Sequence, residues 1–114
     1  MRNSQKGILA ALCGALALCF LVSAAGTRGA DDQTVKLFHT KCAVCHGDDG
    51  RGSDVGKSLD VVDLHSPAVQ KQTDAQLIDA VTNGKGKMPP NKGRITAAQI
   101  KSLVAYVREL GKQK

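Results

Sequence analysis

Two cysteines three positions apart, followed at once by a histidine, are the residues of this chain best suited to chemistry: Cys42-Ala43-Val44-Cys45-His46. On one helical turn, two thiols at this spacing can both reach the vinyl groups of a porphyrin and form thioethers. The histidine directly after them then lies under the ring, with an imidazole nitrogen aimed at the iron. Cys-x-x-Cys-His is the attachment pattern of c-type haem. Three other chemistries compete for it. A redox dithiol needs a strand–helix–strand setting, and the chain shows no strand alternation. Zinc needs four ligands, and beyond the motif the nitrogen candidates are His39 and His65. A plain disulfide between cysteines so close together would tie no distant parts of the chain. The motif is therefore read as the attachment site of one haem through Cys42 and Cys45, with His46 as an iron ligand.

A sixth iron ligand has to come from elsewhere, and Met88 is the residue placed to supply it. It follows His46 by 42 residues and stands among Gly84, Gly86, Pro89 and Pro90. A methionine that only fills a core normally lies on an apolar helical face. Here the glycines allow close backbone approach and the two prolines stiffen the segment just after the sulfur. Such a strap can hold a thioether against iron, and a His/Met pair raises the reduction potential. The rival ligands are His39 and His65. His39 stands seven residues before His46, on the same side of a helix, and could not easily cross the ring. His65 has nothing comparable to brace it. Both are read as surface or hydrogen-bonded histidines.

The elements that must position these groups are helices. Asp31 and Asp32 suit a helix N-terminus, and the first helix runs from near Asp32 through Val35, Leu37 and Phe38 toward Cys42. A glycine-rich stretch follows, with Gly47, Gly50, Gly52 and Gly56 expected to break any regular element. Ser66-Pro67 can open one short helical turn. Thr73 with Gln76, and Thr96 with Gln99, have capping-box spacing and mark two further helices. The first carries Leu77, Ile78 and Val81 and ends at Gly84; the second carries Ile100, Leu103, Val104, Val107 and Leu110 and ends at Gly111. Residues 85–91 between them suit neither a helix nor a central strand.

With 114 residues the chain holds at most one small domain. Its start has another purpose. Arg2 and Lys6 precede 18 almost wholly apolar residues, Ile8 to Ala25, with small residues at Ser23, Ala24 and Ala25. This is the layout of an export signal cleaved near residue 25, and the alternative is a retained membrane anchor. Residues 26–114 then form the functional domain, and Cys42 and Cys45 are its only cysteines. Its aromatic residues are Phe38 and Tyr106 alone. A core so poorly supplied needs a staple or a large apolar guest. From Asp31 onward 13 Lys and Arg face 10 Asp and Glu, and no aromatics interleave with the basic residues, which excludes a nucleic-acid protein.

With Cys42, Cys45, His46, the Gly47-x-x-Gly50-x-Gly52 run, Met88-Pro89 and Leu103-Val104-Ala105-Tyr106-Val107 in place, the chain resembles the small class I c-type cytochromes over nearly everything after Asp31. The resemblance implies an all-α fold of three main helices and loops wrapped around one haem. It also implies that Phe38 packs near Leu103 and Tyr106 where the first and last helices cross. Thr34 is a departure: four residues before the aromatic this family often has glycine or alanine, which bears on how tightly the helices approach. The absence of Trp suits the shorter bacterial and photosynthetic members.

An iron with six fixed ligands has no open position for a substrate and can change charge by one electron with little movement. The expected function is thus a non-enzymatic, periplasmic electron carrier. Its redox partners would be a reductase or dehydrogenase on one side and an oxidase or reaction centre on the other. Lys85, Lys87, Lys92 and Arg94 surround the strap, either as a docking patch for acidic partners or as a solvated surface. The alternative functions are a haem peroxidase or gas sensor whose Met88 detaches, and a membrane-tethered subunit if residues 8–25 are retained.

Overall fold

Six helices follow one another in the computed structural model, which describes residues 30–114: α1 (Asp32–Lys41), α2 (Ala43–His46), α3 (Asp54–Ser58), α4 (Pro67–Gln70), α5 (Asp74–Asn83) and α6 (Ala97–Leu110). The export segment expected at residues 1–25 lies outside the described residues. The three long helices start where the capping residues place them. The Asp31 carboxylate accepts from the Thr34 amide at 2.7 Å, and this bond chiefly holds its pKa below the usual carboxylate value. Thr73 and Thr96 each form a reciprocal capping box with Gln76 and Gln99. Gly84 ends α5 at φ 79°, a backbone setting that favours glycine. α6 stops at Gly111, whose Cα lies against the Gln70 side chain.

α6 is the axis of the core. It buries Ile100, Leu103, Val104, Tyr106 and Leu110, and both α1 and α5 pack on it. Val107 is half-buried and packs against the same core. Phe38 meets Tyr106 edge-on, with ring centroids 5.1 Å apart and planes at 74°, a favoured aromatic geometry. Leu103 joins the same cluster, so the packing implied by the family resemblance is present. Thr34 is buried at this contact. Its hydroxyl donates to Asp31 at 3.2 Å, and a shallow cleft between the helices is lined by Thr34, Leu37, Ala98 and Ser102.

The glycine-rich stretch differs from the expectation. Residues 54–58 form a helix, α3, and Gly56 lies inside it and is buried. Gly56 is there for closeness, not to interrupt: a Cβ at this position would sit 1.8 Å from the Cys45 carbonyl oxygen. Ser53 caps α3 by accepting from the Gly56 amide at 2.9 Å.

A second clamp joins the segment at α4 to α6. Arg108 donates to the carbonyls of Gln70 (2.9 Å) and Gln72 and to the Asp74 carboxylate (2.8 Å). Gln70 in turn donates to the Leu64 and Val107 carbonyls at 2.7 and 3.0 Å. Charge-assisted bonds to half-buried carbonyls are worth about 1.5–3 kcal/mol. Arg108→Ala is expected to lower the unfolding midpoint by at least about 6 °C. Arg108→Lys should recover only part of that in a thermal melt, because an ammonium lacks the planar fork.

Candidate haem site

Helix α1 leads directly into the Cys-x-x-Cys-His turn. The Cys42 amide donates to the Phe38 carbonyl at 2.8 Å, so the buried ring of Phe38 and the first cysteine share one helical end. The amides of Cys45 and His46 both donate back to the Cys42 carbonyl, at 3.1 and 2.9 Å. These bonds wind Ala43–His46 into a single turn and bring Cys42, Cys45 and His46 together. Both cysteines are half-buried. Burial pushes the Cys42 thiol up to about 11. His46 is also half-buried, and burial holds its pKa below the usual histidine value. The imidazole is therefore neutral at neutral pH, the form that binds a metal. Its Nδ1 is buried without a protein partner.

Met88 belongs to a separate, equally constrained segment. The Lys85 amide donates to the Met88 carbonyl at 3.1 Å and the Met88 amide to the Lys85 carbonyl at 3.0 Å. This closes a tight turn in which Gly86 supplies a positive φ of 59°. The strap then doubles back over the end of α5. A Cβ on Gly84 would lie 2.6 Å from the Met88 carbonyl oxygen and 2.9 Å from the Pro90 nitrogen. Its far end is tied by Asn91, a residue the sequence reading passed over. The Asn91 amide donates to the Val81 and Thr82 carbonyls at 3.2 and 3.1 Å, and its side chain donates to Val81 at 3.1 Å. A polar side chain just past a proline pair, with unpaired helix-end carbonyls close behind, was the available signal.

The rival histidines are engaged elsewhere. His39 is exposed, and its Nδ1 lies 2.7 Å from Asp48 Oδ1. His65 Nε2 lies 2.7 Å from the Asp49 carbonyl. Both bond to the turn just after the motif, as hydrogen-bonding side chains. Lys85, Lys87, Lys92 and Arg94 are all exposed. Lys87 Nζ reaches Asp60 Oδ2 at 3.3 Å, joining the strap to the loop that follows α3. The pair is exposed on both sides and is worth less than about 1 kcal/mol.

The donor set fits a haem. It offers two thiols, a neutral imidazole and, on the strap, a soft thioether. The apolar surface fits as well: Val44, Val55, Leu59 and Val62 are the large exposed hydrophobics among the described residues, and all four fall in the motif or the stretch just after it. A flat apolar group bound at the motif could cover exposed side chains of this kind.

Comparison with known proteins decides the family. A family model described as cytochrome c oxidase, cbb3-type, subunit III matches residues 29–107. The chain is a c-type cytochrome. It is 40% identical over 72 residues to cytochrome c6 of Leptolyngbya boryana, covering 63% of this cytochrome and 82% of that one. It is 36% identical over 80 residues to the cbb3-type cytochrome c oxidase subunit FixP of Bradyrhizobium sp., of which it spans only 26%. The solved structure of the KustC0563 c-type cytochrome superposes with a TM-score of 0.65 at 32% identity, over 69% of this chain and 98% of the other. This cytochrome has the class I fold, and its family implies a covalently bound haem c, electron transfer as the activity, and redox proteins as partners.

Proposed function

We propose that this cytochrome is a periplasmic carrier of single electrons, holding one haem c through thioethers from Cys42 and Cys45, with His46 and Met88 as the axial ligands of its iron. The observation that carries the reading is the prewound Cys42–His46 turn, and the Met88 strap, held at Gly84 and Asn91, supports it. When bound, the haem supplies a one-electron iron couple. The protein's part is to keep the ligands still. Burial keeps the imidazole neutral, and the turn fixes the backbone that carries it. The strap holds a sulfur that favours ferrous iron. With His46 and Met88 both bound, the iron would have no open position for substrate, which is why the reading is a carrier and not an enzyme.

The similarity to cytochrome c6 over most of that protein's length supports a free carrier. The similarity to oxidase subunits favours a second reading, a cytochrome unit that works within or beside an oxidase, although this chain spans about a quarter of FixP. In either case the partners are a donor such as a reductase or dehydrogenase, and an acceptor such as an oxidase or reaction centre. Export through residues 1–25 is part of the proposal, with membrane attachment if that segment stays on.

The test is spectroscopic. The purified protein should carry one covalent haem by mass, and its ferric form should show the weak near-infrared charge-transfer band of thioether ligation. Absence of that band, together with ready CO binding by the ferrous form, would replace the carrier with a peroxidase or gas sensor. Mass spectrometry of the exported protein reads the cleavage site in the same run.

The exposed Lys85, Lys87, Lys92 and Arg94 give a separate prediction. If they steer an acidic partner, raising ionic strength from about 0.01 to about 0.15 M shortens the screening length from roughly 30 to 8 Å. The bimolecular electron-transfer rate should then fall about tenfold in stopped-flow measurements. A rate that ignores salt would leave the patch as ordinary solvated surface.

A further inference from the structure

Helix α2 has only four residues, too few to hold its own conformation. Its carbonyls are nevertheless all paired, and the partners are close in sequence. The Ala43 carbonyl accepts from the Gly47 amide at 2.8 Å and the His46 carbonyl from the Gly52 amide at 2.7 Å. The two between them converge on one residue. Ser53 Oγ donates to the Val44 carbonyl at 2.6 Å, and the Ser53 amide donates to the Cys45 carbonyl at 3.0 Å. The same Oγ accepts from the Gly56 amide at 2.9 Å. One hydroxyl thus spends its proton on the haem-attachment turn and its lone pair on α3. Directly behind it Gly56 presses against the Cys45 carbonyl, where a Cβ would stand 1.8 Å from the oxygen.

We infer that Ser53, seated by Gly56, is a positioning residue for the haem-ligating turn: it sets the orientation of the His46 imidazole by anchoring the Val44 and Cys45 carbonyls. This rests on His46 being the proximal ligand. Ser53 touches neither haem nor iron in this role; it acts through the backbone that carries Cys45 and His46. Any residue that both donates and accepts from its γ-oxygen can do this, so threonine can substitute. Aspartate can cap α3 but has no proton to donate to Val44. That difference separates positioning of the turn from plain capping of α3.

The test uses the purified, haem-loaded wild type and its Ser53→Thr, Ser53→Ala and Ser53→Asp variants. Two quantities are read: the reduction potential by spectroelectrochemical titration, and the order and spread of the hyperfine-shifted haem methyl resonances of the ferric protein, which report the plane of the axial imidazole. Ser53→Thr should match the wild type in both, while Ser53→Ala and Ser53→Asp should each shift the potential and redistribute the methyl resonances. Unchanged resonances in Ser53→Ala overturn the inference, and so does recovery of the wild-type pattern by Ser53→Asp, which would reduce Ser53 to a helix cap. Should the weaker variants fail to accumulate with haem, amide exchange in the wild type still decides. The Ser53 amide, which donates to the Cys45 carbonyl, is expected to exchange at least about a hundredfold more slowly than free peptide, and rapid exchange there overturns the anchoring. A wild type that carries no covalent haem sinks the functional reading itself; a haem-loaded wild type with indifferent variants sinks only this inference.

Discussion

Met88→Ala is expected to abolish the near-infrared thioether band of the ferric protein, lower the reduction potential by roughly a few tenths of a volt, and open the ferrous iron to CO. The magnitude follows from the span of about 0.8 V over which axial ligands set haem potentials. Loss of the sulfur removes a ligand that prefers ferrous iron, so the ferric state gains and the potential falls. The strap itself should survive. Its turn is closed by backbone bonds between Lys85 and Met88, and its far end is held by Asn91 on the Val81 and Thr82 carbonyls. Neither depends on the Met88 side chain. A Met88→Ala protein with an unchanged potential and band would show that the sixth ligand is another residue. His65 would then be the next to examine, although it is occupied with the Asp49 carbonyl.

Phe38→Ala is expected to cost about 3–5 kcal/mol of stability, from lost transfer free energy and the cavity left behind. For a domain of this size that lowers the unfolding midpoint by at least roughly 12 °C, measurable by calorimetry of the haem-loaded protein. The ring is 2% exposed and stands edge-on to Tyr106 between α1 and α6. No other aromatic ring is available to fill the gap, because Phe38 and Tyr106 are the only aromatic residues after Asp31. Phe38→Leu should lose much less. The consequence reaches the site, since the Phe38 carbonyl accepts the Cys42 amide: the Ala variant should also accumulate with less haem attached. A shift of only a few degrees would mean that α1 is held to α6 mainly by polar ties, such as the Ala30 amide to the Glu109 carboxylate at 2.9 Å.

The long helices were legible because their signals are local. Thr73/Gln76 and Thr96/Gln99 state where two of them begin, Gly84 and Gly111 where they end, and both capping boxes are formed. The single turn at Cys42–His46 was legible for the same reason, since the spacing of two thiols and an imidazole is local. Gly56 was misread. Glycine usually interrupts a helix because it lacks a side chain to pack and leaves the backbone free. Here the missing side chain is what lets α3 lie against the Cys45 carbonyl, and that neighbour is eleven residues away in sequence. Asn91 was passed over on similar grounds: its value lies in the helix-end carbonyls of Val81 and Thr82, which only the return of the chain brings within reach.

By itself, then, the sequence determined the local elements: a Cys42–His46 motif wound into one turn, a stiff segment around Met88, and helices whose caps are written beside them. The tertiary structure decided how still those groups are held. Four residues cannot sustain a helical turn alone, so the rigidity of the His46 turn comes from Gly52, Ser53 and Gly56 folding back on its carbonyls. That of the strap comes from α5, whose terminal carbonyls need the partners that Asn91 and Lys92 provide. Unpaired polar groups at helix ends are a debt local sequence leaves open, and only the folded chain shows which distant residue closes it.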